Sequence, residues 1–179
     1  MKYAVIGGDE RAAFLAVRLR EAGHSVRCWA LEKSSLAGKL PRTGCLEGCV
    51  YGADWVLLPV PAEREGRLHA PLSVQRPGMA ELLGALWPGQ VLCGGGFAPE
   101  TSLAAVRAGR MLVAEECIET GSVGQRIRAM LSGSGVPVLA LSCGDRFLPC
   151  GSIADLQKLC GLDAASIAES AAGFLEKLN

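Results

Sequence analysis

Short apolar runs and helical periodicities alternate about six times along this chain, and no other feature restricts its fold as strongly. "KYAVIG" reads as a strand, and "DERAAFLAVRLREAG" as a helix with Ala12, Leu15, Ala16 and Leu19 on one face, ended by Gly23. "SVRCWA" is a second strand, and 32–52 is irregular and glycine-rich. "DWVLLPV" is a continuous apolar run, as in a strand covered on both faces, and "PAEREGRLHA" is a polar loop or hairpin. The pattern then repeats: helix "PGMAELLGALWPG" with Pro77 near its start, strand "QVLCGG", helix "PETSLAAVRAG" (99–109), strand "RMLVAEE", helix "SVGQRIRAMLSGSG" and strand "VPVLALS". Two helices follow, "SIADLQKLCG" and, over 163–178, a run with Ile167, Ala171, Phe174 and Leu178 at helical spacing. Such alternation predicts a three-layer α/β/α Rossmann-like (flavodoxin-like) domain with a mostly parallel five- or six-stranded sheet.

One domain over residues 1–179 is expected. Halves of about ninety residues are small for separate open parallel sheets, whose strands need cover on both faces. No linker composition separates them, so "RMLVAEE" and "VPVLALS" are expected to extend the first sheet. Half of the 179 residues are hydrophobic and a fifth charged, enough for a full core. Lys plus Arg (18) balances Asp plus Glu (18), which removes the electrostatic footprint of a nucleic-acid binder. No apolar stretch reaches membrane-span length and "MKYAVIGGDE" is not a signal peptide, so the expectation is a cytoplasmic protein without membrane contact.

The eight cysteines show no CxxC. The nearest approach to metal-ligand spacing, Cys45-x3-Cys49, has no partner pair. Cys28 and Cys93 sit in apolar runs and read as small core residues. The expectation is reduced thiols and no metal.

The glycine turn after the first strand reads Gly7-Gly8-Asp9-Glu10-Arg11-Ala12. In the dinucleotide fingerprint G-x-G-x-x-G/A the second glycine lets the backbone approach a pyrophosphate. Asp9 stands there, and its carboxylate would repel a phosphate at a helix start. Asp9 instead reads as an N-cap. Glu32, near the end of the second strand, occupies the place of a ribose-binding acid, but without the glycine pattern it lends little support.

"YAVIGGDERAAFLAVRL", followed by "ADWVLLPVPAEREGRLHAPLS", resembles the N-terminal domain of the dipicolinate synthase A-subunit. The resemblance rests on Ile6, Gly7, Gly8, Asp9 and Arg11, then Leu58, Pro59, Val60, Glu65 and Gly66, then "VLCGGG". It spans about the first hundred residues, assigned as 1–110. In that family NADPH is bound by a separate C-terminal domain with an intact glycine fingerprint, which this sequence does not contain. The resemblance therefore implies that these opening glycines hold no cofactor. Residues 111–179 resemble the C-terminal, transketolase-like domain of 1-deoxy-D-xylulose-5-phosphate synthase. The pattern EE-x4-G-x2-G falls on Glu115, Glu116, Gly121 and Gly124, and D-x-F-x3-G-S on Asp145, Phe147, Gly151 and Ser152. In that family this domain builds the protomer body and the dimer, and the thiamine diphosphate chemistry resides elsewhere.

Ligands of open α/β sheets bind at the carboxyl ends of the strands, here the loops 8–11, 61–69, 94–99 and 115–121. The candidate ligand-binding residues are Gly8, Asp9, Arg11, Pro59, Gly94, Gly95 and Gly96. Arg11 could hold a carboxylate bidentately or be a solvated first-turn residue. Gly94 to Gly96 could offer backbone N–H groups to an anion or form a plain turn. Glu115 and Glu116 could supply a base or simply be solvated, and two acids should raise the pKa of Cys117. His24 reads as a surface or capping residue, and His69 has no Ser or Cys partner in view. No nucleophile, base and orienting group assemble, so no catalytic residue is assigned. The reading is an N-terminal domain like that of the dipicolinate synthase A-subunit, which binds a small dicarboxylate related to dihydrodipicolinate and is not catalytic alone. The alternative is an assembly module like the deoxyxylulose-phosphate synthase C-terminal domain; a homo-oligomer is expected, and a complete nucleotide-dependent enzyme is disfavoured by Asp9.

Overall fold

The computed structural model describes residues 1–97 and 110–176. The helix expected over 99–109 lies outside the described residues. The chain divides into two compact units, Met1–Ala108 and Gly109–Asn179.

In the first unit, β1 (Lys2–Ile6), β2 (Ser25–Trp29), β3 (Trp55–Leu57) and β6 (Val91–Cys93) form a four-stranded sheet in the order β2-β1-β3-β6. All pairings are parallel: Lys2 faces Ser25, Tyr3 faces Trp55, and Trp55 faces Val91. Between β3 and β6, a two-stranded antiparallel ribbon joins β4 (Glu63–Arg64) to β5 (Arg67–Leu68). This is the α/β fold the alternation predicts.

Successive strand residues point to opposite faces, and both faces are covered. On one, Val5, Val26 and Cys28 pack with Ala13 and Ala16 of α1 (Glu10–Glu21). On the other, Ala4, Ile6 and Val56 pack with Leu46, Cys49 and Val50 of α2 (Leu46–Val50) and with Met79 and Leu82 of α3 (Met79–Gly84). Ile6, Val56 and Leu82 are fully buried, each contributing about 1.5–3 kcal/mol by leaving water. The α1 stripe is rotated from the sequence expectation: Ala13 is buried, whereas Leu15 is exposed.

A short 3-10 turn (Ala37–Lys39) and α2 lie within the stretch expected to be irregular. α2 has only five residues, too few for a periodic signal, and is held by burial of Leu46, Cys49 and Val50. Gln90 secures its exit, donating from Nε2 to the carbonyls of Val50 (2.7 Å) and Ala53 (2.9 Å). β3 stops at Leu57, although the Leu58 N–H still donates to the Cys93 carbonyl at 2.7 Å. Cys28 is in the core as expected, but Cys93, on the outer strand β6, is exposed.

In the second unit, β7 (Met111–Ala114) and β8 (Val138–Leu141) pair with each other, in parallel, as a two-stranded sheet among the described residues. Among the described residues, β1, β2, β3 and β6 pair in one sheet and β7 pairs with β8. Strand character is local, whereas strand partnership is not. α4 (Val123–Leu131) buries Ile127 and Leu131. α5 (Ile153–Cys160) ends at Gly161 in the left-handed conformation, φ 70°. α6 (Ala164–Glu176) follows, with Ile167, Ala171 and Phe174 half-buried, as their spacing predicts; Leu178 lies outside the described residues. No helix among the described residues is long and apolar enough to cross a membrane.

Candidate functional site

The first sheet reverses direction beside β1: the chain moves to β2 on one side and then to β3 on the other. Open α/β sheets bind ligands at such a switch point. Here β1 runs into Gly7 and Gly8, with φ of 66° and 96°. A Cβ on Gly8 would lie 2.8 Å from the Cβ of Ala12 and 3.1 Å from that of Pro59, so glycine lets α1 close onto the loop after β3. A Cβ on Gly7 would meet Leu68 Cδ2 at 2.9 Å.

Leu68 arrives there through the β4–β5 hairpin. Its turn residues, Glu65 and Gly66, have φ of 53° and 74°, the positive pair that a two-residue type I′ turn requires. The segment then returns to the glycine turn. The His69 carbonyl accepts the Gly8 N–H at 2.9 Å, and the His69 N–H donates to the Ala62 carbonyl at 2.8 Å.

A cleft of about 230 Å³ opens where these segments meet. Leu57, Leu58, Pro59 and Val60 form one apolar wall, and Ala12 and Leu15 of α1 form another. That explains Leu15, which faces this opening rather than the core. The polar lining consists of Asp9, Arg11 and His69.

Asp9 is the N-cap of α1, its carboxylate accepting the Arg11 backbone N–H at 2.9 Å. The Arg11 guanidinium also returns to it, Nη2 to Oδ2 at 2.8 Å and Nε to both oxygens at 3.1 Å. These bonds hold the Asp9 carboxyl below its ordinary range. The Arg11 side chain is 80% exposed, so the pair is screened by water and adds little stability. Next to it, Glu10 accepts from Ser34 Oγ (2.8 Å), the Ser35 N–H (2.8 Å) and Ser35 Oγ (3.1 Å). Those bonds likewise lower its carboxyl. The Asp9 carboxylate stands at the helix start, where it would repel a pyrophosphate.

His69 is half-buried. Burial, then the charge of Arg64, push its imidazole below the ordinary histidine range, with Arg76 and Arg11 adding to the push and Asp9 opposing it. Asp9, Arg11 and Pro59 thus come together around one cleft, and Gly8 supports it from beneath Pro59. Gly94, Gly95 and Gly96 do not line it. A Cβ on Gly94 would lie 3.0 Å from Leu58 Cβ, and one on Gly96 would lie 2.8 Å from Pro61 Cβ, so they allow the close approach of the chain behind the cleft wall. His69 reaches the cleft only because the hairpin folds back, and the signal for that in the sequence is the Glu65-Gly66 turn between the polar strands.

In the second unit, Glu115 caps α4, accepting the N–H groups of Gly124 (2.6 Å) and Val123 (3.0 Å). It also accepts from Cys117 Sγ at 3.1 Å, and this bond pushes the Cys117 thiol up to about 11, in the direction expected. Glu116 accepts from Gln157 Nε2 at 2.5 Å. Both carboxylates are therefore occupied by helix and side-chain donors. All eight thiols are free, and among the described residues no cluster of three or more His, Cys, Asp or Glu side chains is arranged to hold a metal ion.

A family model for the N-terminal domain of the dipicolinate synthase A-subunit matches residues 2–139. The chain belongs to that family. The match continues past 110 through β7 and α4, so 111–139, expected to resemble a transketolase-like domain, fall within this family's span instead. Within the family's span lie every residue of the cleft and the hairpin that closes it. No curated protein and no solved structure matches the chain.

Proposed function

We propose that this dipicolinate synthase N-terminal domain of the A-subunit type binds a small dicarboxylate related to dihydrodipicolinate in the cleft between β1 and β3, and is not catalytic alone. One observation carries the reading: a cleft of about 230 Å³ with a mostly apolar lining also holds Arg11 and His69, together with Asp9. The volume falls below the roughly 300–1,000 Å³ of sites for drug-sized ligands. A compact ring would lie against Pro59 and Leu15, and its carboxylate would reach the Nη1 side of Arg11, the edge that Asp9 does not engage. Asp9 and Arg11 engage each other and so serve orientation rather than proton transfer. The reading includes self-association, supported by exposed apolar side chains on the second unit: Phe147 is fully exposed and Ile153 is 73% exposed.

A thermal-shift series tests the binding. Pyridine-2,6-dicarboxylate should raise Tm, pyridine-2-carboxylate should raise it less, and Arg11→Gln should reduce the rise. Stabilisation by NADPH with none by dicarboxylates would overturn the reading. Light scattering tests self-association, where a monomer mass at all concentrations refutes that part.

A further inference from the structure

The glycine turn and the hairpin place one titratable ring in the same cleft as the Asp9–Arg11 pair. His69 lines the cleft together with Asp9 and Arg11. Its backbone is tied on both sides, to Gly8 and to Ala62, so the ring is carried on a fixed support. The charges acting on it come from every neighbouring segment: Arg64 of β4, Arg76 on the approach to α3, and Arg11 and Asp9 at the start of α1. Three cations oppose one carboxylate, and the carboxylate is itself engaged by Arg11.

We propose that His69 is a proton-coupled positioning residue of this cleft: it takes up one proton from solvent as an anionic ligand binds, and the carboxylate is held between Arg11 and the imidazolium. The inference rests on the dicarboxylate reading and adds its regulation. Before binding, the surrounding arginines and partial burial favour the neutral ring. An anion bound in the cleft reverses that balance, because its charge at short range offsets the arginines and favours the charged ring. Binding and protonation then strengthen each other reciprocally. Affinity is highest below the histidine range of the free protein and falls as pH rises, by up to about tenfold per unit for one linked proton. Such a site would load its ligand under mildly acidic conditions and release it under alkaline ones.

Calorimetry of the full chain with pyridine-2,6-dicarboxylate tests this, run at pH 6, 7 and 8 in buffers of low and high ionisation enthalpy. The expected result is heat that depends on the buffer, corresponding to uptake of up to one proton, and affinity that falls with pH. His69→Gln should bind with heat independent of buffer and with a flat pH profile. A nuclear magnetic resonance titration of the His69 ring in the unaltered protein gives the same answer without a variant, since its midpoint should move upward when the ligand saturates. Binding with no proton uptake, or uptake that persists in His69→Gln, overturns the coupling and leaves the dicarboxylate site standing. No saturable binding at millimolar ligand overturns both.

Discussion

The N–H of Gly8 donates to the carbonyl of His69 at 2.9 Å. This bond joins the turn after β1 to the exit of the β4–β5 hairpin, and it brings a histidine sixty-one positions away in sequence into the same cleft as Asp9. The cleft therefore depends on close backbone approach as much as on its side chains.

Gly8→Ala should destabilise the protein by about 3 kcal/mol, combining a left-handed φ with an overpacked contact. The added Cβ would sit 2.8 Å from Ala12 Cβ. Gly23 also has positive φ, 85°, but open space around it; Gly23→Ala should cost only about 1 kcal/mol. Urea unfolding of the two variants separates strain from clash, and equal losses would mean that the Ala12 and Pro59 contact is yielding.

Asp9→Ala removes an N-cap and should cost about 1 kcal/mol, with Asp9→Asn costing less because the amide oxygen still caps. The pH dependence has a definite sign. The Asp9 carboxyl titrates below its unfolded value of 3.8. Its contribution is thus present above that value and is lost as pH falls through the lower folded value. Melting curves from pH 7 to pH 2 should show the wild-type advantage over Asp9→Ala shrinking at the acidic end.

Burial pushes the Cys28 and Cys49 thiols up to about 12. The thiolate is the reactive form, so iodoacetamide at pH 8 should label the exposed Cys45 and Cys150 while sparing Cys28 and Cys49. Peptide mass spectrometry reads the pattern. Unfolding in urea should bring all eight cysteines to similar labelling, and early labelling of Cys49 would show that α2 opens locally.

Both apolar layers of the four-stranded sheet are built from residues of Met1–Ala108. A fragment of residues 1–108 should fold and retain the cleft, giving one cooperative thermal transition. The fragment 109–179 has three buried apolar side chains among its described residues, Ile127, Leu131 and Leu162, and two parallel strands do not suffice for independent stability. Circular dichroism should show no cooperative melting for it alone.

Several features were legible in the sequence because they are local. β1, its glycine turn and α1 follow from an apolar run, two glycines and a helical period. The Asp9 cap follows from a carboxylate two residues before the N–H it accepts. The Cys117 shift follows from the acid two positions before it. Family membership was carried by the same short segments.

Other features required the tertiary structure. α2 was hidden because five residues carry no period, and only their burial against β1 and β2 holds them helical. The placement of Gly94 to Gly96 behind the cleft wall, rather than in it, follows from contacts with Leu58 and Pro61 over thirty positions distant. The partners of β7 and β8, and the arrival of His69 beside Arg11, are decided in the same way. Sequence pattern specifies which face of a strand is apolar, but hydrogen-bonding edges are chemically alike, and the folded chain alone determines which edges meet.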